Sequence, residues 1–265
     1  MGRTRYFYLQ LAFTLLACSF LIVPVFMSVI AGLTVNFFQG ISSGFTLRWI
    51  VVVWDLYAQT IFRSMYIALA TLAVTLVIGV PAAYVLAKRP GVVARLIEEA
   101  LVLPVAIPGL ATALALILTY GGFRDFRTSW VFILVGHVLY TLPFMVRSVL
   151  AVLSSFNFRI LEESAASLGA GFWRRFFGII VPNVRSGIVA GALTVVTLSI
   201  GEFNLTWMMH TPETMTLPVG LADSYASMRL EIGSAYTLVF FFMITPLLIA
   251  LQRYGLQRAT VRRLT

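Results

Sequence analysis

Lysine occurs once in this chain, at Lys88, cysteine once, at Cys18, and histidine twice, at His137 and His210. Each scarcity removes a class of chemistry. One cysteine makes no intramolecular disulfide framework and no all-cysteine metal site. The histidines lie far apart in sequence, on different expected elements, and no His-Glu-x-x-His pair exists. His137 therefore reads as a buried, hydrogen-bonded side chain. A phosphate-binding P-loop ends its glycine-rich turn in Gly-Lys, whereas Ala87 precedes the sole lysine. No serine, cysteine or carboxylate is marked out as a nucleophile beside a base. Any energy for work must come from outside this chain.

Charge is scarce as well. Charged residues make up 11% and hydrophobic residues 60% of the 265 residues, against about 25% and about 45–50% in ordinary globular domains. So few charges cannot cover the surface of a soluble protein of this length. The net charge of +9 would ordinarily raise nucleic acid as a partner. The positions of the basic residues decide otherwise.

A bilayer core of about 30 Å needs roughly 20 mostly apolar residues per helix. Six stretches qualify: 8–33, 64–87, 100–121, 130–153, 187–209 and 232–251. None alternates with the period of a barrel strand. The first has a basic head, Arg3 and Arg5, but its apolar run is too long for a signal peptide and no small-x-small cleavage site closes it, so it reads as an uncleaved span. Pro24, Pro81, Pro104, Pro108, Pro143 and Pro246 fall inside these spans. Neighbouring helices in a bundle can satisfy the carbonyls that proline frees. Pro104 and Pro108 are candidates to shape a kinked helix beside a pathway.

All but five of the nineteen basic residues fall on one side of this layout: at the N-terminus, after the second span, around the loop after the fourth, and in the tail. Arg48, Arg63, Arg124, Arg127 and Arg229 lie on the other. Cytoplasmic loops carry the basic excess, so both termini are expected to be cytoplasmic. The positive charge is an orientation signal, and nucleic acid drops out as a partner.

The loop at 157–182 carries the most information. Residues 160–168 favour helix, Asn157 is placed to cap it, Glu162 and Glu163 sit early where carboxylates suit the dipole, and Gly169 can end it in a left-handed turn. A second short helix carries Phe172, Trp173, Phe176 and Phe177, with Arg174 and Arg175 on its other side, and Pro182 marks the return to the membrane. Glu163, Ala166, Ser167 and Ala170 share a face that is small and mostly uncharged. Physical chemistry alone leaves two readings: a docking surface for another protein, and an amphipathic helix resting on lipid.

The stretch resembles the signature loop of bacterial ABC importer permeases, which reads Glu-Ala-Ala, three residues, Gly, nine residues, Ile-x-Leu-Pro. Here Glu163-Ser164-Ala165 precedes three residues and Gly169, and nine residues later come Ile179-Ile180-Val181-Pro182. Ser164 and Val181 depart from the pattern by small-for-small and aliphatic-for-aliphatic exchanges. The resemblance implies an all-α membrane fold of the type I importer permease, with six transmembrane helices and a coupling helix between the fourth and fifth. It divides the chain into an N-terminal helix and periplasmic amphipathic segment (1–59), the transmembrane domain (60–255) and a basic cytoplasmic tail (256–265). It places the protein in a bacterial inner membrane as half of a pathway. The partners implied are a second permease, identical or related, two cytoplasmic ATPase subunits and a periplasmic substrate-binding protein. The permease binds no cofactor itself; ATP and magnesium belong to the ATPase. Glu162, Glu163, Ser164, Ala165, Ala166, Leu168, Gly169, Ala170 and Pro182 would form the docking loop. The run at 216–220 resembles the gate segment before the sixth helix in relatives.

Glu202 is the one acid well inside an apolar span, and such residues face a cavity or a partner. With Asn204 and Trp207 nearby it could receive a cationic solute such as a polyamine or an aminophosphonate. The alternative is a structural carboxylate, hydrogen-bonded in the permease dimer or paired with arginine. The run Ser199-Ile200-Gly201-Glu202 looks most like the polyamine and 2-aminoethylphosphonate permeases, while iron, sulfate and molybdate permeases share much of the plan. An autonomous channel or secondary transporter is the reading from another class; the internal repeats that such transporters carry are not evident.

Overall fold

A computed structural model describes residues 2–261, with side chains described for residues 6–253. Among the described residues the regular structure is helical, the helices being joined by turns and short loops, with one isolated bridge between Thr34 and Phe45. The chain divides into two compact units.

The first unit comprises Met1–Ala58 and Gly220–Met243. It holds α1 (Gly2–Ala31), a bridged loop, the first residues of α2 (Arg48–Lys88), the end of α12 (Leu217–Ala226) and the start of α13 (Leu230–Val261). Gly32 lies against the Ser234 and Ala235 backbone, where a Cβ would come within 2.6 Å of a nitrogen. The Glu231 carboxylate accepts the Phe37 N–H at 2.9 Å, and the Tyr57 and Tyr236 rings meet at 4.8 Å. The hydrophobic window of α1 stays exposed.

The second unit comprises Gln59–Val219 and Ile244–Thr265. It holds α3 (Val92–Ala106), α4 (Gly109–Tyr120), α5 (Arg124–Thr128), α6 (Trp130–Leu153), α7 (Phe158–Ser167), α8 (Phe172–Arg175), α9 (Val181–Asn183), α10 (Arg185–Ile200) and α11 (Asn204–Met209). Val80, Ala83, Tyr84, Met145, Val149 and Val195 centre its main core, which joins α2, α6 and α10. In lipid, helices associate by close packing, which small residues permit. Met145 shows how: a Cβ at Gly79 on α2 or at Gly191 on α10 would each fall 2.8 Å from its side chain. A second cluster, with Ile67, Phe132, Leu205 and Met209, joins α2, α6 and α11.

Four helices among the described residues are long and apolar enough to cross a bilayer, or six when each of two bent pairs is counted as one span. The fourth expected span coincides with α6. The second begins earlier than expected, because the amphipathic segment before it continues the same helix from Arg48. The third and fifth differ in shape. The chain bends by 103° between α3 and α4, so 100–121 is not one helix. Pro108 forces the preceding residue out of the helical region, and Ile107 is extended at φ −85°, ψ 138°. The fifth span ends at Ile200, and α11 follows after a turn. The expected tail is helical up to Val261; Arg262 and Arg263 lie outside the described residues.

Candidate functional site: a buried-glutamate loop and a capped helix break

Two sites emerge. In the first, α7 ends in a two-bond turn. The Gly169 N–H donates to Ala166 and the Ala170 N–H to Ala165, with Gly169 at φ +81°. This is the Schellman arrangement, and its left-handed position suits glycine. Asn157, expected as an N-cap, makes no side-chain capping bond.

The two neighbouring glutamates of α7 separate. Glu163 is exposed with Ser164, Ala166, Ser167 and Leu168, the last of them 89% exposed. Glu162, expected beside them, is turned inward and 3% exposed. A residue one step along a helix points about 100° away, so the two cannot share a face. The Glu162 Oε1 accepts from the Lys88 ammonium at 2.6 Å and the Tyr84 hydroxyl at 2.7 Å, and Lys88 also donates to the Tyr84 oxygen at 2.8 Å. Arg175 approaches the same oxygen at 3.6 Å, contrary to the expectation that it faces away. Burial pushes the Glu162 carboxyl up, but the bonds from Lys88 and Tyr84 and the charges of Lys88 and Arg175 outweigh it and hold the group below its ordinary value. Arg159 donates to the Lys88 carbonyl at 3.0 Å, where the end of a helix favours a cation. Phe158, Phe172 and Phe176 surround the Tyr84 ring. Lys88, Arg159, Glu162, Glu163 and Arg175 line a cavity of about 200 Å³. Phe176–Ile180 forms a π-turn before Pro182, and the Asn183 side-chain amide donates to the Ile179 carbonyl at 2.7 Å.

The second site is the turn between α10 and α11. Glu202 is buried, and both of its oxygens are engaged. Oε1 accepts the Leu205 N–H at 2.8 Å; Oε2 accepts the Thr206 N–H and hydroxyl, each at 2.9 Å. The carboxylate thereby closes the first turn of α11, whose N–H groups have no helical partners. Thr206 spends its proton on Glu202, so its oxygen accepts from the His137 Nε2–H at 2.9 Å. That leaves Nδ1 to accept from the Ser199 hydroxyl at 2.8 Å. A neutral imidazole as the Nε2–H tautomer satisfies every partner. At the other end of α11, Arg127 donates to the Met209 carbonyl at 2.7 Å.

Of the residues expected along a pathway, Pro108 and Asn204 come together: a Cβ on Gly109 would lie 3.0 Å from that of Asn204, and both Pro108 and Asn204 are exposed. Pro104 stands apart, lining an apolar cavity of about 240 Å³ with Leu139 and Leu142. Sequence reading missed Tyr84, Lys88 and Arg159 as partners of the loop, and Ser199 and Thr206 as partners of His137. The isolation of Lys88 among arginines was the one available signal.

The sequence profile of the family described as binding-protein-dependent transport system inner membrane component matches residues 76–265. Among individual proteins, a sulfate transport system permease protein of Synechocystis is 29% identical, covering 74% of this chain and 77% of its own. A molybdenum transport system permease protein of Escherichia coli is 27% identical over 67% of this chain and 83% of its own. A provisionally named 2-aminoethylphosphonate transport system permease protein of Salmonella paratyphi A is 26% identical over 88% and 89%. A bacterial ABC transporter that imports the acidic polysaccharide alginate superposes with a TM-score of 0.71 at 15% identity, covering 96% of each chain. An inward-facing methionine ABC transporter gives 0.60 at 17% identity, over 81% of this chain and 98% of the other.

Proposed function

Since this chain belongs to the family of binding-protein-dependent transport system inner membrane components, and so is a permease subunit of an ABC importer, we propose that it forms half of a solute pathway and is driven through the loop at 157–182. The other half is a second permease. Two ATPase subunits, which hold the ATP and magnesium, dock on the loop from the cytoplasm, where both termini also lie. A periplasmic binding protein delivers the solute.

The exposed face of α7 supports this reading. Glu163, Ser164, Ala166 and Leu168 stand uncovered on a short helix with a rigid glycine stop. A small-residue face with one carboxylate suits close insertion into a protein groove better than rest on lipid, which favours a large apolar face.

For the solute we favour a small molecule carrying a tetrahedral oxyanion. Sulfate, molybdate and 2-aminoethylphosphonate, for which the three relatives above are named, share that group. The argument from Glu202 to a cationic solute, polyamine or aminophosphonate, needs a free carboxylate, and both oxygens of Glu202 are committed to α11, which leaves the polyamine reading with only the resemblance of 199–202. Uptake by cells expressing the whole importer tests this, with labelled sulfate, molybdate, 2-aminoethylphosphonate and putrescine offered separately. Accumulation of one of the first three is expected, with an ATPase subunit co-purifying. Accumulation of putrescine alone would overturn the solute assignment, and uptake without any ATPase would overturn the importer reading of the loop.

A further inference from the structure

The sole lysine of the chain and the inward glutamate of α7 meet at a place that docking does not use. Four side chains converge on one carboxylate oxygen or its immediate surroundings: Lys88 and Tyr84 from the last turn of α2, Arg175 from α8, and Arg159 from α7 reaching the α2 carbonyls. Glu162 is almost fully buried, and an aromatic cage of three phenylalanines closes around Tyr84. Long charged side chains lose rotamer freedom when they are held in one geometry. A surface pair contributes little stability in return. A buried, multiply bonded carboxylate differs, because breaking it strands a charge.

We propose that Lys88, Tyr84 and Glu162 form a latch that makes the coupling helix α7 and the end of α2 move as one body. This deepens the reading of 157–182 as the coupling loop and rests on it. It assigns the adjacent glutamates opposite tasks: Glu163 faces the ATPase, and Glu162 transmits what Glu163 receives. Displacement of α7 then carries α2 with it, and α2 is packed on α6 and α10 through Val80, Ala83 and Tyr84. The three are positioning residues, and none touches solute.

The test uses the complete importer with its ATPase subunits in nanodiscs. Cys18 is replaced by serine, and spin labels are attached at Val77→Cys and Leu161→Cys, both exposed positions outside the latch, Leu161 lying on the side of α7 away from Glu163, Ala166 and Ser167. The distance between labels is read without nucleotide and after trapping with ATP and vanadate. The latch requires one unchanged distance in both states for the otherwise native chain. Lys88→Met and Glu162→Gln should each shift the distance on trapping, with ATP hydrolysis retained and solute moved per ATP reduced on the order of tenfold. Lys88→Arg, which keeps the charge, should restore the single distance. A trapped-state shift in the native chain overturns the latch without needing any latch variant to fold. So does an unchanged distance in both Lys88→Met and Glu162→Gln. If no ATPase subunit accompanies the permease, the importer reading fails, and the latch with it.

Discussion

Replacing Glu202 with alanine separates a structural carboxylate from a solute ligand. The substitution strands two backbone N–H groups and the Thr206 hydroxyl at a position only 8% exposed. Hydrogen bonds to a charged group contribute about 1.5–3 kcal/mol each, and losing a helix N-cap costs about 0.5–2 kcal/mol. Release of the buried charge, and a switch of His137 to the Nδ1–H tautomer that lets the Thr206 hydroxyl donate to Nε2, offset part of the loss. A net destabilisation of roughly 2–3 kcal/mol remains, which lowers the apparent Tm by roughly 4–12 °C at about 2–4 °C per kcal/mol. Glu202→Gln keeps one acceptor but aims its amide at a backbone N–H, and should fall between. The assay pairs intrinsic tryptophan melting of the purified permease with the concentration dependence of uptake in cells. A cap predicts lower Tm, less protein in the membrane and an unchanged KM for what remains. A variant that melts at the native temperature yet needs far more solute for half-maximal uptake would refute the reasoning, because only a ligand lost from the pathway gives that pattern.

Acid should weaken the latch in a defined direction. Glu162 is held below its ordinary value of 4.5, so its contribution is complete at neutral pH and is lost as pH falls from that value through the lower folded one. Tm should therefore drop more steeply on acidification in the native chain than in Glu162→Gln, as a pH series of melts would record. Gly169→Asp and Glu163→Arg should leave the protein inserted at native abundance while abolishing ATP-driven uptake; normal uptake by either would count against the docking loop. Arg127→Met removes the cation from the α11 carbonyls and should lower Tm by an amount equivalent to about 1 kcal/mol, with faster proteolysis of the 210–216 segment as the independent reading.

Much of the architecture can be read from the chain because apolar runs of bilayer length have few alternative explanations. The boundaries of α6 follow from a predominantly apolar stretch of bilayer length, broken only by isolated polar residues such as His137 and Arg147. A kink at Pro108 is expected from the proline itself, but its size of 103° is not, because the residues on both sides are equally apolar and composition carries no angle. The loop at 157–182 stands out through its spacing, and Gly169 takes the left-handed conformation expected of it. The orientation of Glu162 is a different matter. Glu162 and Glu163 are chemically identical neighbours, and what distinguishes them is a lysine 74 positions earlier in the chain. Glu202 poses the same problem. An acid in an apolar span reads either as a ligand or as a structural carboxylate until His137, Ser199 and the first turn of α11 are seen to close around it. Long-range polar partners decide both cases, and no local pattern encodes them.

The packing around Met145 has a consequence for how sequences of this kind diverge. The thioether fills the notches left by two glycines on two different helices. A methyl group added at position 79 or 191 meets that side chain at 2.8 Å, so Met145 must move or shrink to admit either, and at 191 the Met145 Cα and Ser148 Cβ stay at 3.3 Å whatever the side chain at 145. The three positions are thus not independent sites of variation. A substitution at one sets which substitutions are harmless at the other two, and the order in which such changes accumulate in a lineage is constrained by a single flexible side chain.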